Sequence, residues 1–212
     1  MAVTFPLSVT VFQDTLKVVS VKWSLSEFVI TSGVTAGQIV TSEVASPKWS
    51  AEIALAPSYH DDARKVRAML RRIGAANPFY LYNPAAPYPR MDPDGSALGS
   101  ATVTIASISG RQMSLTGLPA GYQLKWGDLF SVDYGTAPVR RALFEVNEDI
   151  TANGAGTTGN FEVTPPPKTG VVAGLAVTLK KPSCKMRLLS HDAGITEPMI
   201  ASGITLQAME TV

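Results

Sequence analysis

Only one stretch of this sequence carries apolar side chains at helical spacing. From Asp61 to Ile73, Ala63, Val66, Leu70 and Ile73 form a stripe with Met69 beside it, the pattern of an amphipathic helix lying on a core. Asp61 and Asp62 stand at its positive end and Gly74 follows as a stop. Everywhere else the periodicity is short or close to two. Trp49, Ala51, Ile53 and Leu55 alternate with polar neighbours, and so do Ile204, Leu206 and Ala208. A chain of 212 residues with 17 glycines, 15 prolines and only 17% charged residues is therefore expected to fold mainly as short strands joined by turns.

The expected strands fall into two groups. Thr4–Phe12, Leu16–Trp23, Phe28–Thr31, Gln38–Glu43 and Trp49–Leu55 precede the helix, with a turn at Gly33–Gly37. The aromatic strand Phe79–Tyr82 follows it, and Pro84–Gly99, rich in Pro, Asp and Gly, reads as a loop and domain boundary. Beyond that boundary, Thr102–Ile108 and Arg111–Leu115 flank Ser109-Gly110, a hairpin signal. Leu124–Val132, Arg140–Val146, Phe161–Thr164 and Val171–Lys180 complete the second group, with Pro165–Pro167 as an extended connector. Lys185–Leu189, a turn over His191–Pro198 and Ile204–Glu210 close the chain. A terminal strand needs a sheet to join, so the last segment is expected to return to the N-terminal strands. The fold class is all-β with one short helix: a β-sandwich of residues 1–90 plus 185–212, with an inserted small β-barrel-like domain over residues 91–184.

Chemistry-bearing motifs are sparse. Cys184 is the single cysteine, which leaves no internal disulfide and argues against a thiolate zinc site. Asp92-Pro-Asp94-Gly95-Ser96 starts like a calcium loop, but its twelfth position is Val103, so it reads as a turn. His60 beside Asp61 and Asp62 reads as a polar start to the helix, and His191-Asp192 as a turn. No serine sits in a nucleophile elbow, and neither a phosphate-binding P-loop nor a dinucleotide fingerprint is present. No catalytic, cofactor-binding or metal-binding residue is expected, and no enzyme activity. Met1-Ala-Val-Thr-Phe-Pro lacks a basic n-region and an apolar h-region, so no signal peptide is expected. No apolar run is long enough for a membrane span. With a formal net charge of +1, no global field draws nucleic acid. The one local concentration of charge is the helix face carrying Arg64, Lys65, Arg67, Arg71 and Arg72, expected to contact a neighbouring subunit or partner. Reversing Arg67 and Arg71 should then weaken assembly. A platform of Trp126, Tyr122 and Tyr134 is the feature that a host-glycan-binding module would need.

Five features together carry a family resemblance. They are Trp49-Ser-Ala-Glu-Ile53 after an opening β-region, the helix with Asp61-Asp62 and Leu70, and Asn77-Pro-Phe-Tyr-Leu-Tyr-Asn-Pro84 straight after it. The others are Leu124-Lys-Trp-Gly-Asp-Leu-Phe130 with Phe161-Glu-Val-Thr-Pro-Pro-Pro167 in the inserted unit, and the closing Gly203-Ile-Thr-Leu-Gln-Ala-Met-Glu210. This arrangement resembles the distal tail proteins of phages and prophages with long non-contractile tails. The resemblance implies a structural virion protein, assembled in the host cytoplasm as a homohexameric ring. Such a ring joins the tail tube protein to baseplate hub or tail-tip proteins and surrounds a channel through which DNA passes as cargo. It implies no cofactor and no membrane partner.

Overall fold

The computed structural model describes residues 4–33, 37 and 39–211. The chain begins with a turn segment and a short 3-10 helix, Gln13–Thr15. It continues through β1 (Val18–Gly33), β2 (Ile39–Leu55), β3 (Ser58–Tyr59), α1 (His60–Ile73) and β4 (Phe79–Tyr82). A second series follows: β5 (Val103–Ser109), β6 (Gln112–Thr116), β7 (Gln123–Leu124), β8 (Leu129–Tyr134), β9 (Arg140–Val146), β10 (Ile150–Thr151), β11 (Phe161–Thr164) and β12 (Ala176–Thr178). β13 (Ser183–Thr196) and β14 (Ile200–Glu210) end the described chain. The fold is all-β with one α-helix and an inserted small barrel, as the alternating patterns imply.

The first and last strands share one antiparallel sheet in the order β1-β2-β14-β13-β4, with β3 also paired to β14. The terminal strand does return to the N-terminal strands: Leu206 stands opposite Ile53 and Ala208 opposite Ala51. Both period-two rows point inward, and Trp49, Ala51, Ile53, Leu55, Ile204, Leu206 and Ala208 are all buried. The stripe of α1 covers this face, burying Ala63, Leu70 and Ile73. Gly74 ends the helix at φ 51°, donating its N–H to Leu70 O, a conformation that costs glycine little.

The second series closes into a barrel, β11-β6-β5-β12-β8-β9. Phe130 packs against Phe144 and Phe161 at centroid distances of 5.4 and 6.3 Å, and all three are fully buried. The insertion has a simple geometric basis. β4 and β13 are hydrogen-bonded neighbours with Tyr82 opposite Ser183, so the chain leaves the sheet and returns to it at adjacent points. Ser183 and Cys184, expected at the end of the insert, already lie on β13 in the large sheet.

The barrel is bonded to the sheet. Leu129 and Leu143 from its wall belong to the core of the larger domain. Trp49 Nε1 donates to Leu143 O at 2.9 Å. Glu210, 4% exposed, accepts from Trp49 N at 3.1 Å and from Lys168 Nζ at 2.5 Å, tying the loop after β11 to the last strand. Arg141 holds Asp133 with two nitrogens, donates to Ser183 Oγ at 2.8 Å and stacks on Tyr80 at 4.3 Å.

Several local expectations change. Leu124–Val132 is split into β7 and β8 by a turn in which Asp128 N donates to Lys125 O, and Val171–Lys180 is a strand only over Ala176–Thr178. Thr4–Phe12 is not a strand. Leu7 makes one bridge to Phe79, and Pro6 and the Ser8–Val11 turn interrupt the rest. His191–Thr196, expected as a turn, continues β13, because Asp192, Ala193 and Ile195 pair with Thr205, Ile204 and Ser202. The expected turn at Gly33–Gly37 falls largely outside the described residues.

Candidate assembly interface

β1 and β2 are 16 and 17 residues long, yet β14 pairs with β2 only between Ser50 and Ala54. Beyond Lys48 the two strands continue as a ribbon that no other strand joins among the described residues, which also place no strand on the outer side of β1. The ribbon leaves the sheet at an irregularity. Ser26 pairs with Lys48, Phe28 with Ala45 and Val29 with Glu43, so β2 accommodates extra residues at two successive steps. Bulges of this kind bend and twist a strand, and Pro47, which cannot donate to a ladder, lies among them.

The distribution of polar and apolar side chains changes at that bend. Nearer the sheet, Val21, Trp23 and Leu25 on β1 pack towards the core, opposite Ile53, Ala51 and Trp49. The other face there is polar: Ser24 and Ser26 hydrogen-bond Ser50 at 2.9 and 3.1 Å. Past the bend, alternation along β1 places Glu27 and Val29 on the core-side face, with Glu43 paired to Val29. Phe28 and Ile30 fall on the serine side, joined there by Val40 and Val44 through pairing with Ser32 and alternation from Ser42. Ile30, Val40 and Val44 are 62%, 53% and 62% exposed. Past the bend, one face of the ribbon thus carries Phe28, Ile30, Val40 and Val44, and the other carries both acids together with exposed Val29 and Ile39. Glu27 and Glu43 are the only charged residues from Ser26 to Ser46.

The basic residues singled out from the sequence separate into two groups. Arg64, Arg71 and Arg72 are exposed along the outer face of α1, with no hydrogen-bond or ion-pair partner for their side chains among the described residues. Lys65 is exposed too and borders a groove of about 290 Å³ between α1, β2 and Ile204, whose apolar lining includes Leu55, Val66 and Met69. Arg67 is committed within its own chain. Its guanidinium donates to Ala193 O at 2.7 Å, Thr196 Oγ1 at 3.0 Å and Gly194 O at 3.5 Å, bracing the β13–β14 hairpin. Gly194 is required there: it sits at φ 67°, and a Cβ would lie 2.1 Å from Ser202 O. Reversing Arg67 would therefore disturb this hairpin as well as any contact with a neighbour.

Groups that could have carried chemistry serve the fold. Both carboxylate oxygens of buried Asp92 are used, accepting from Ala97 N, Leu98 N and Tyr122 OH at 2.9, 2.9 and 3.1 Å. Burial and the neighbouring Asp92 push the Tyr122 hydroxyl pKa far upward. Burial also raises the Cys184 thiol well above its ordinary range, which keeps it protonated and inert. His60 Nε2 lies 3.2 Å from Pro198 O, and His191 is exposed on β13. No three His, Cys, Asp or Glu side chains among the described residues cluster as metal ligands, and no helix among them is long and apolar enough to cross a membrane. Of the barrel aromatics, Trp126 is 63% exposed whereas Tyr122 and Tyr134 are buried. Phe79 is buried and Tyr80 lies under Arg141.

The sequence signal for the ribbon was present but divided. Val18–Gly33 contains neither Pro nor an internal Gly, so a single long strand was permitted there. The short apolar groups at Leu16–Trp23 and Phe28–Thr31 read instead as two strands. No protein-family model matches the chain, and no curated protein matches it.

Proposed function

We propose that this protein is a non-enzymatic structural subunit that assembles as a ring at the distal end of a long, non-contractile phage-type tail. The ring is homohexameric, joins the tail tube to the baseplate or tip, and leaves a channel for DNA. The observation that carries this reading is the ribbon, which no other strand joins among the described residues and which exposes an apolar row on one face and both of its acids on the other. An isolated two-stranded ribbon is marginal in water, and an exposed apolar strand pair is a surface for association. A ring subunit needs contacts with copies of itself and with unlike neighbours above or below, and the two faces of the ribbon differ enough to serve one each. The bonded junction between barrel and sheet supports the same reading, since ring closure depends on a fixed subunit shape.

A host-glycan-binding module is the second reading. It calls for adjacent exposed rings, and Trp126 is the only one of the three candidate aromatics that offers its face. Light scattering with negative-stain imaging of one concentrated sample tests the first reading. A discrete ring is expected. A monomer at every concentration, together with saturable binding of cell-wall sugars, would replace it with the second.

A further inference from the structure

We infer that the acidic face of the ribbon seats the basic outer face of α1 from the next copy of this chain, which makes the lateral contact of the assembly head-to-tail. The inference rests on the ring reading and specifies its contact. Charge is the first argument. The ribbon offers Glu27 and Glu43 on one face with no cation between Ser26 and Ser46. The outer face of α1 offers Arg64, Arg71 and Arg72 without partners of their own among the described residues. Within one chain these two sets do not meet: neither Glu27 nor Glu43 has an ion-pair partner among the described residues. Complementary charge across an interface selects the partner and fixes its register.

Shape is the second argument. Glu43 borders a cleft of about 190 Å³ between the root of the ribbon and the Pro165–Thr169 loop. The cation bordering that cleft, Lys168, is already held by Glu210. The acidic face is therefore recessed at Glu43, where the convex outer face of α1 can enter. Their lengths agree: 14 helical residues span about 21 Å at 1.5 Å each, and Phe28–Gly33 spans roughly 20 Å as a strand. Ala68, exposed between Arg64 and Arg71, lets the helix backbone approach. A contact between two different patches of one surface propagates around a ring instead of closing as a pair. It also leaves the apolar row Phe28, Ile30, Val40 and Val44 free for an unlike neighbour.

The test is a charge exchange in the full-length chain. One variant carries Glu27→Lys and Glu43→Lys, the other Arg64→Glu and Arg71→Glu. All four positions are exposed, and circular dichroism checks that both variants fold. Each variant alone should self-associate at least about tenfold more weakly than wild type, as like charges then face each other. An equimolar mixture should assemble again, because each ribbon then finds a helix of opposite sign on the other variant. If wild type assembles and the mixture does not recover, or if either variant assembles as wild type does, this contact is wrong and the ring reading stands. If wild type remains monomeric at every concentration, the ring reading fails and the contact fails with it.

Discussion

The barrel and the six-stranded sheet answer the same problem in opposite ways. Every strand edge is a row of unpaired backbone groups that can recruit another chain. The barrel removes its edges by closing, β9 to β11, and fills its centre with Phe130, Phe144 and Phe161. The sheet cannot close, and its two edges are treated differently. Along β4 the N-terminal segment covers the edge. Leu7 donates to Pro78 O and accepts from Tyr80 N, and the Gln13 side-chain amide copies a strand by donating to Tyr82 O at 2.6 Å and accepting from Tyr82 N at 2.7 Å. Along β1 none of the described residues forms a comparable cap, and the strand runs on into the ribbon. One edge is thus capped by its own chain, while the other extends into the ribbon.

The largest expected effect breaks the barrel side of this comparison. Phe130→Ala removes the ring at the barrel centre and should cost about 3–5 kcal/mol in urea unfolding. The ribbon and α1 lie in the other domain, so self-association of the folded variant should match wild type. Loss of assembly in folded Phe130→Ala protein would show that the barrel wall itself makes the contacts.

Next comes the junction. Lys168→Met leaves the Glu210 carboxylate buried with only Trp49 N as a donor, and should cost about 3 kcal/mol. Removing Glu210 as well, in a Lys168→Met, Glu210→Met double variant, should recover part of that loss. Equal denaturation midpoints for wild type and Lys168→Met would remove the ion pair from the account of how barrel and sheet are held.

The capped edge provides a smaller and sharper test. Gln13→Ala leaves the N–H and C=O of Tyr82 without their partner and should cost about 1–2 kcal/mol. The sheet would then have two open edges, and irregular aggregates should appear in light scattering where wild type gives a discrete species. Unchanged scattering would mean that Leu7 alone suffices to protect β4.

The smallest stability effect belongs to the ribbon. Ile30→Thr with Val40→Thr alters exposed side chains that no core residue touches, and should change unfolding stability by no more than about 0.5 kcal/mol. If that row meets an unlike neighbour, binding to a tail-tube or tip partner should fall while rings of the protein alone persist. A loss of several kcal/mol would show that the ribbon folds back on its own chain.

Much of the fold was legible because its core rows keep a clean period. Trp49–Leu55, Ile204–Ala208 and the α1 stripe each announce one buried face, and the return of the last strand followed from its need for a partner. The ribbon was less legible. Its alternation continues that of β1, but beyond the bulges around Pro47 the apolar side chains are exposed on both faces, and a change of environment without a change of secondary structure resembles a break between strands. Arg67 was read with its helical neighbours because the sequence shows charge and spacing. It does not show that Gly194 brings two backbone carbonyls beneath that guanidinium. Asp92 and Glu210 were missed as structural anchors because the partners that tie them to distant elements, Tyr122 and Trp49, lie 30 and 161 residues away.

Hydrogen–deuterium exchange at low and high protein concentration tests the central claim most directly, namely that a second copy completes the ribbon. Amides of residues 26–33 and 39–46 should exchange quickly in dilute protein and become protected together with the outer face of α1 on concentration, while those of the barrel strands stay unchanged. Ribbon amides that exchange equally at both concentrations, in a sample that light scattering shows to have assembled, would contradict it.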